Sequence, residues 1–240
     1  MASGAMRGAA TGWWRRHVRS LFIQVATTPN PSSLKFMPGR SLLSNGMTAD
    51  FSNLRSAQAS PLARALFQHP DVRNVLIASD FIAVTIGDAE SWPRMKPEIF
   101  AALEDFFASG QPIISDANSS SAPNKDTTIL DTDSDTVAMI KELIETRIRP
   151  YIQEDGGDVV YRGFVDGIVH LQLQGSCVGC PSSTVTLKNG IEGMLMHYCP
   201  EVKGVTEFVD EPLEAASREQ LSKLEAELAA KNSTNQGNSS

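Results

Sequence analysis

Leu171-Gln172-Leu173-Gln174-Gly175-Ser176-Cys177-Val178-Gly179-Cys180-Pro181-Ser182-Ser183 decides how this chain is read. From Ile168 to Leu173 apolar and polar residues alternate, the period of a half-buried strand. Tyr161 to Val165 supplies the other arm of a hairpin around the turn Asp166-Gly167. After Pro181 the pattern becomes helical, to about Tyr198. Two thiols three positions apart thus sit in a tight loop between a strand and a helix. That spacing lets both sulfurs face one metal centre, and Gly179 keeps the loop free of side-chain bulk. Pro181 suits the first helical turn, where its missing N–H costs nothing. A helix N-terminus lowers thiol pKa and favours the ligating thiolate. The same dipole favours a negatively charged thiolate-bound group by roughly 0.3–1 kcal/mol.

Spacing alone leaves four readings open: a cluster ligand pair, half of a zinc site, a redox disulfide, or a chance pair. A closed zinc site within one chain needs four ligands. The histidines, His17, His69, His170 and His197, are scattered through the sequence without the usual spacing partner. An oxidoreductase pair belongs after the first strand of a βαβ unit, whereas this one follows a hairpin late in the chain. Two ligands per chain against four per iron–sulfur cluster has a simple solution, a symmetric dimer sharing one cluster.

Working outward, a helix carrying Val137, Ile140, Leu143, Ile144 and Ile148 precedes the hairpin. Asp135 or Thr136 is expected to cap it, and Pro150 to mark its end or a kink. Val202 to Val209 reads as a last strand. Residues 134–210 form one domain on this reading. Residues 113–133 turn to Ser, Asn, Asp, Thr and Pro and read as a flexible linker. Before it, 21–112 reads as a second small α+β domain. Leu21 to Val25 and Leu34 to Met37 are strands around the turn Thr28-Pro29-Asn30-Pro31. Ser60-Pro61 caps a helix to about Gln68. Val72 to Ala78 and Phe81 to Ile86 form a hairpin. Pro97 is expected to open a helix lined by Ile99, Leu103, Phe106 and Phe107 and stopped by Gly110. The fold class is α+β, two small domains joined by a linker, the second with its CxxC loop before a helix.

The 240-residue chain fits two such domains, and its net charge of −7 argues against nucleic acid as a partner. No uncharged apolar run reaches the ~18 residues of a membrane span. Three cysteines are too few for a secreted disulfide framework and suit a reducing compartment. Met1 to Ala49 holds no acidic residue but contains Arg7, Arg15, Arg16, Arg19, Lys35 and Arg40. A basic, amphipathic, acid-free start is the pattern of an organelle transit segment, here residues 1–20. Residues 211–240 read as an amphipathic helix, through Leu213, Leu221, Leu224 and Leu228, fading into a polar tail.

The sequence also resembles a known family. Val137 to Pro150 is similar to the opening helix of the NifU C-terminal-type domain. Gln153-Glu154-Asp155-Gly156-Gly157-Asp158, Leu171 to Cys177, Cys180-Pro181-Ser182-Ser183, Thr186 to Glu192 and Pro200-Glu201-Val202 match it too. Phe22-Ile23-Gln24, Thr28 to Phe36 and Pro97-Glu98-Ile99-Phe100 resemble the Nfu N-terminal domain. Together these cover most of residues 21–210 and point to the Nfu-type iron–sulfur scaffolds of mitochondria, plant forms above all. The resemblance implies a carrier, not an enzyme, in the mitochondrial matrix. It would accept a [4Fe–4S] cluster from upstream assembly proteins, hold it through Cys177 and Cys180 in a homodimer, and hand it to apo-proteins such as lipoyl synthase. No membrane is involved. Two rival readings stand beside it: a thiol–disulfide oxidoreductase using the same pair, and an adaptor whose N-terminal domain binds clients while its thiols hold only incidental metal.

Other conspicuous residues have plainer readings. Gly156 and Gly157 are expected to supply positive φ between helix and strand, with Glu154, Asp155 and Asp158 solvated. Cys199 is read as a small buried hydrophobe. The CxxC loop is expected near solvent, contributing little core, and the sequence leaves open whether the two domains touch.

Overall fold

A computed structural model describes residues 22–44, 46–115, 126–178 and 181–208. The transit segment expected at 1–20 and the helix and tail expected at 211–240 lie outside them.

The first domain is a five-stranded antiparallel sheet with helices on one face. Its strands are β1 (Gln24–Thr27), β2 (Ser33–Met37), β3 (Ala49–Phe51), β4 (Val72–Ile77) and β5 (Ile82–Ile86), in the order β1-β2-β5-β4-β3. Helix α1 (Pro61–Leu66) starts as expected, with the Ser60 side chain accepting from the Ala63 N–H at 3.1 Å. Helix α2 runs from Trp92 to Ser109, five residues earlier than Pro97 suggests. Pro93 takes the start, and Pro97 lies inside on the exposed face, where the carbonyl it leaves unbonded meets water. Trp92, Met95, Ile99, Leu103 and Phe106 form its buried stripe, and Gly110 ends it at φ 68°.

Alternation along β4 and β5 divides the side chains between two faces. Val75, Ile77, Ile82, Val84 and Ile86 pack beneath α1 and α2 with Phe36, Phe51, Leu62 and Met95. Leu76, Ala78, Phe81 and Ala83 point the other way and are also buried, with Met37 against them. The second domain covers them.

In the second domain α3 (Asp135–Leu143) is capped by Ser134, whose side chain accepts from Val137 N–H; Asp135 is already helical. The helix then widens into a π turn at Ile144–Ile148 before α4 (Arg149–Glu154). Pro150 opens α4 without the N–H that an unbroken α-helix would use, which is the kink anticipated near it. Strands β6 (Gly157–Val165) and β7 (Ile168–Gly175) pair antiparallel around Asp166 (φ 53°) and Gly167 (φ 88°). A bulge between Tyr161 and Gly163 shifts the pairing by one residue, so that Gly163 lies opposite His170. Helix α5 (Pro181–Tyr198) returns the chain to β8 (Gly204–Glu207), which lies parallel to β7. Ile140, Ile144, Ile148, Ile152, Val159 and Leu195 lie in the core between helices and sheet.

Candidate functional site

β7 ends at Gly175, where φ is +65° and the chain turns sharply. A Cβ there would lie 2.5 Å from Leu76 Cδ2 and 2.9 Å from the Gly156 carbonyl oxygen, so glycine is required by conformation and by space together. Ser176 follows; its N–H donates to Gly156 O at 3.3 Å and its hydroxyl to Asp155 O at 2.6 Å. Val178 N–H closes the turn onto Gly175 O at 3.2 Å.

Cys177 is 5% exposed and belongs to the second core. The expectation of a solvent-near thiol is corrected here: its Sγ occupies the space beside Gly157, whose added Cβ would meet it at 2.3 Å. Gly157 is therefore needed for close approach, while Gly156, at φ 79°, provides the left-handed turn between α4 and β6. Cys180, the other thiol of the pair, lies outside the described residues. Cys199 is buried at 2% exposure in the same core, and burial, followed by the Glu201 carboxylate, pushes its pKa up. Among the described residues no three His, Cys, Asp or Glu side chains are grouped to hold a metal ion.

The structure adds residues that sequence reasoning missed, and they come from the other domain. Asn30, in the Thr28–Pro31 turn, donates through its amide to Ser176 O at 3.0 Å and to Val178 O at 3.4 Å. The same side chain's oxygen accepts from Ser32 N–H at 3.0 Å, which fixes its orientation. Asp50 Oδ1 accepts from Gly175 N–H at 3.2 Å. Burial lifts the Asp50 pKa to about 6 against the bonds from Asn74 and Gly175, and the nearby Asp158 adds to the rise. Lys35 donates to the carbonyls of Gln153 (2.7 Å) and Glu154 (3.3 Å) at the end of α4. The surrounding dehydration lowers its pKa. The one signal in the sequence was the Thr28–Pro31 turn, whose rigid shape marks a place but does not say what it touches.

Asp158 is also corrected, since it is not solvated. It is fully buried, accepts from Arg149 Nε at 3.2 Å and from its neighbour Val159 N–H at 2.8 Å, and receives the Thr48 hydroxyl from the first domain. Burial raises its pKa, opposed by the Arg149 charge. Arg149 in turn holds both Asp126 oxygens, at 2.9 and 3.0 Å, together with Glu145 and the Val159 carbonyl. Asp126 also accepts from Tyr161 N–H at 2.6 Å. Asp126 to Asp133, within the stretch expected as linker, thus lie against the second domain, Lys141 Nζ reaching Thr128 O at 3.0 Å and Asp133 at 2.7 Å.

Chemically, the loop offers a thiol at a strand end, a second cysteine three positions on in the sequence, and a helix starting at Pro181. The backbone of Gly175, Ser176 and Val178 is held by both domains.

Comparison with known proteins bears on what such a loop does. Residues 140–206 match the family described as NifU-like domain, and residues 23–110 the family described as Scaffold protein Nfu/NifU N terminal. A Drosophila virilis protein, "NFU1 iron-sulfur cluster scaffold homolog, mitochondrial", is 50% identical over 220 residues, covering 92% of this chain and 72% of that one. From Arabidopsis thaliana, "NifU-like protein 4, mitochondrial" is 56% identical over 194 residues, 80% of this chain and 68% of its own. "NifU-like protein 5, mitochondrial" of the same plant is 54% identical over 206 residues, 85% and 74% of the two chains.

Proposed function

This chain belongs to the mitochondrial Nfu/NifU-like family of iron–sulfur cluster scaffolds, and from that premise we propose that it carries a [4Fe–4S] cluster between two protomers on Cys177 and Cys180 of each. The observation that supports this most directly is the loop itself: two thiols per chain, between β7 and α5, inside the stretch that matches the NifU-like domain. A cluster of four irons takes four thiolates, and a two-fold axis through it doubles two into four.

The cluster is cargo, so release is a ligand exchange. An apo-protein's thiol loses its proton as its sulfur bonds iron, and the departing Cys177 or Cys180 sulfur takes a proton up. No electrons move between the proteins. Four exchanges transfer the cluster and dissolve the dimer. The recipients on this reading are apo-proteins of the matrix that need [4Fe–4S] clusters, lipoyl synthase among them, and upstream cluster-assembly proteins are the donors. No substrate is turned over.

Anaerobic reconstitution of the full chain, read by visible absorption, Mössbauer spectroscopy and light scattering, tests the proposal. The expected result is a [4Fe–4S] signature at one cluster per dimer, lost in Cys177→Ser and in Cys180→Ser. A full cluster in either variant, or a monomeric cluster-bound protein, overturns the shared-ligand scheme. A colourless protein that reduces insulin disulfides selects thiol–disulfide exchange instead.

A further inference from the structure

A sulfur that bonds a cluster shared by two chains must stand on the outside of its own chain. Cys177 does not: it is 5% exposed, packed in the second core against Gly157. The backbone around it is gripped from the first domain. Asn30 holds the carbonyls one residue before and one residue after Cys177, and Asp50 holds the N–H of Gly175. Carrying the Cys177 Cα outward, so that its side chain leaves the core, moves those peptide groups, and Asn30 opposes that movement from both sides. The residues of the first sheet that face the second domain, Leu76 and Ala83 among them, approach Gly175 and Gly156 closely, so the grip is a packed contact as well as a polar one.

We propose that the first domain is a latch on the loop: presenting Cys177 to a cluster requires Asn30 to let go of the Ser176 and Val178 carbonyls so that the thiol can leave the second core. The proposal rests on the carrier reading given above. It makes cluster loading a two-step event, release and then ligation. The latched form shields the thiol from oxidants and stray metal ions.

Asn30→Asp is the sharpest test. The aspartate keeps the oxygen that accepts from Ser32 N–H, so the turn survives, but it replaces the amide donor with an oxygen that repels both carbonyls. The full-length reduced chain is treated with N-ethylmaleimide under native conditions, and peptide mass spectrometry follows Cys177 and Cys199 separately. Cys177 labelling is expected to accelerate about tenfold, the equilibrium effect of losing one or two buried hydrogen bonds, with Cys199 unchanged. An added carboxylate beside a thiol would by itself slow alkylation, so acceleration reports opening. Equal Cys177 rates in the two proteins overturn the latch. Should Cys199 also speed up, marking unfolding, Asn30→Ala takes the place of Asn30→Asp under the same criterion. In parallel reconstitutions the cluster chromophore should grow faster in the variant and reach the same final content per dimer. Faster labelling with no faster loading overturns the link between release and ligation. If the wild-type chain takes up no cluster, the carrier reading fails, while the labelling comparison still decides the latch.

Discussion

Replacing Gly175 by alanine should cost the second domain on the order of 3 kcal/mol. An L-residue held in the left-handed region at φ +65° loses about 1–2 kcal/mol. The new methyl must then fit where Leu76 Cδ2 lies 2.5 Å away and the Gly156 carbonyl oxygen 2.9 Å away. The leucine can swing aside but the carbonyl is backbone, so overpacking adds another ~1–3 kcal/mol. Urea unfolding followed by far-UV circular dichroism measures the sum. Gly39→Ala is the control for conformation alone: φ is +66° there, yet nothing lies within 4 Å of the added carbon. It should lose only the first part. Leu76 is fully buried, so Leu76→Ala should cost less in the Gly175→Ala background than in the wild type, giving a coupling energy that no distant pair would show. If Gly175→Ala costs no more than Gly39→Ala, the close approach of the two domains at this point is wrong.

The other expectations concern charge and helix propensity. Asp50 holds its proton up to about pH 6 in the folded chain against an ordinary 3.8. Its contribution to stability is therefore fully present below about pH 4 and lost as pH rises through about 6, on the order of 3 kcal/mol at ~1.4 kcal/mol per pH unit. Urea titrations of wild type and Asp50→Asn at several pH values should show the variant without that falling component; parallel curves would refute it. Arg149→Met leaves the fully buried Asp158 facing Asp126 and Glu145 without its cation. A loss of about 3–5 kcal/mol is expected, and a loss below that of an ordinary surface change would show the network to be dispensable. Gly190 sits in α5 with open space around its Cα. Gly190→Ala should thus stabilise by roughly 0.5–1 kcal/mol, read as a higher thermal midpoint, and a lower midpoint would mean the helix is packed there.

Local signals in the sequence carried most of the fold. Ser60-Pro61 announced α1, Asp166-Gly167 the β6–β7 hairpin, and Gly110 the end of α2, because each acts through its own backbone conformation. The misreadings share a cause. Pro97 has the look of a helix start, but Trp92 and Met95 already supply buried contacts before it and outweigh one lost hydrogen bond. Ser134 caps α3 where Asp135 or Thr136 was expected, a shift of one or two positions that depends on backbone angles. β3 spans only Ala49–Phe51, too short to show a period, and exists because β4 pairs with it. At the site, the thiol pair was legible as a motif, but the burial of Cys177 was not. Burial depends on Gly157, Asn30 and Asp50, and the contacts of Asn30 and Asp50 with the loop span more than 120 positions. Asp158 looked like one acid among three, and its burial depends on Arg149 at one carboxyl oxygen and Thr48 at the other.

The Arg149 cluster has a consequence for where the chain can be cut. The NifU-like match begins at residue 140, yet Asp126 stands well upstream of it. A fragment starting at 140 would abandon the carboxylate whose two oxygens both accept from Arg149 Nη2 and would strip Tyr161 N–H, on β6, of its acceptor. It would lose Asp133 and the Thr128 carbonyl from Lys141 as well. Lys141 would then lie buried without its carboxylate, and Arg149 would be left with fewer partners than its burial requires. Excision before Asp126 keeps these contacts whole; the limits of similarity and the limits of self-sufficiency fall at different peptide bonds.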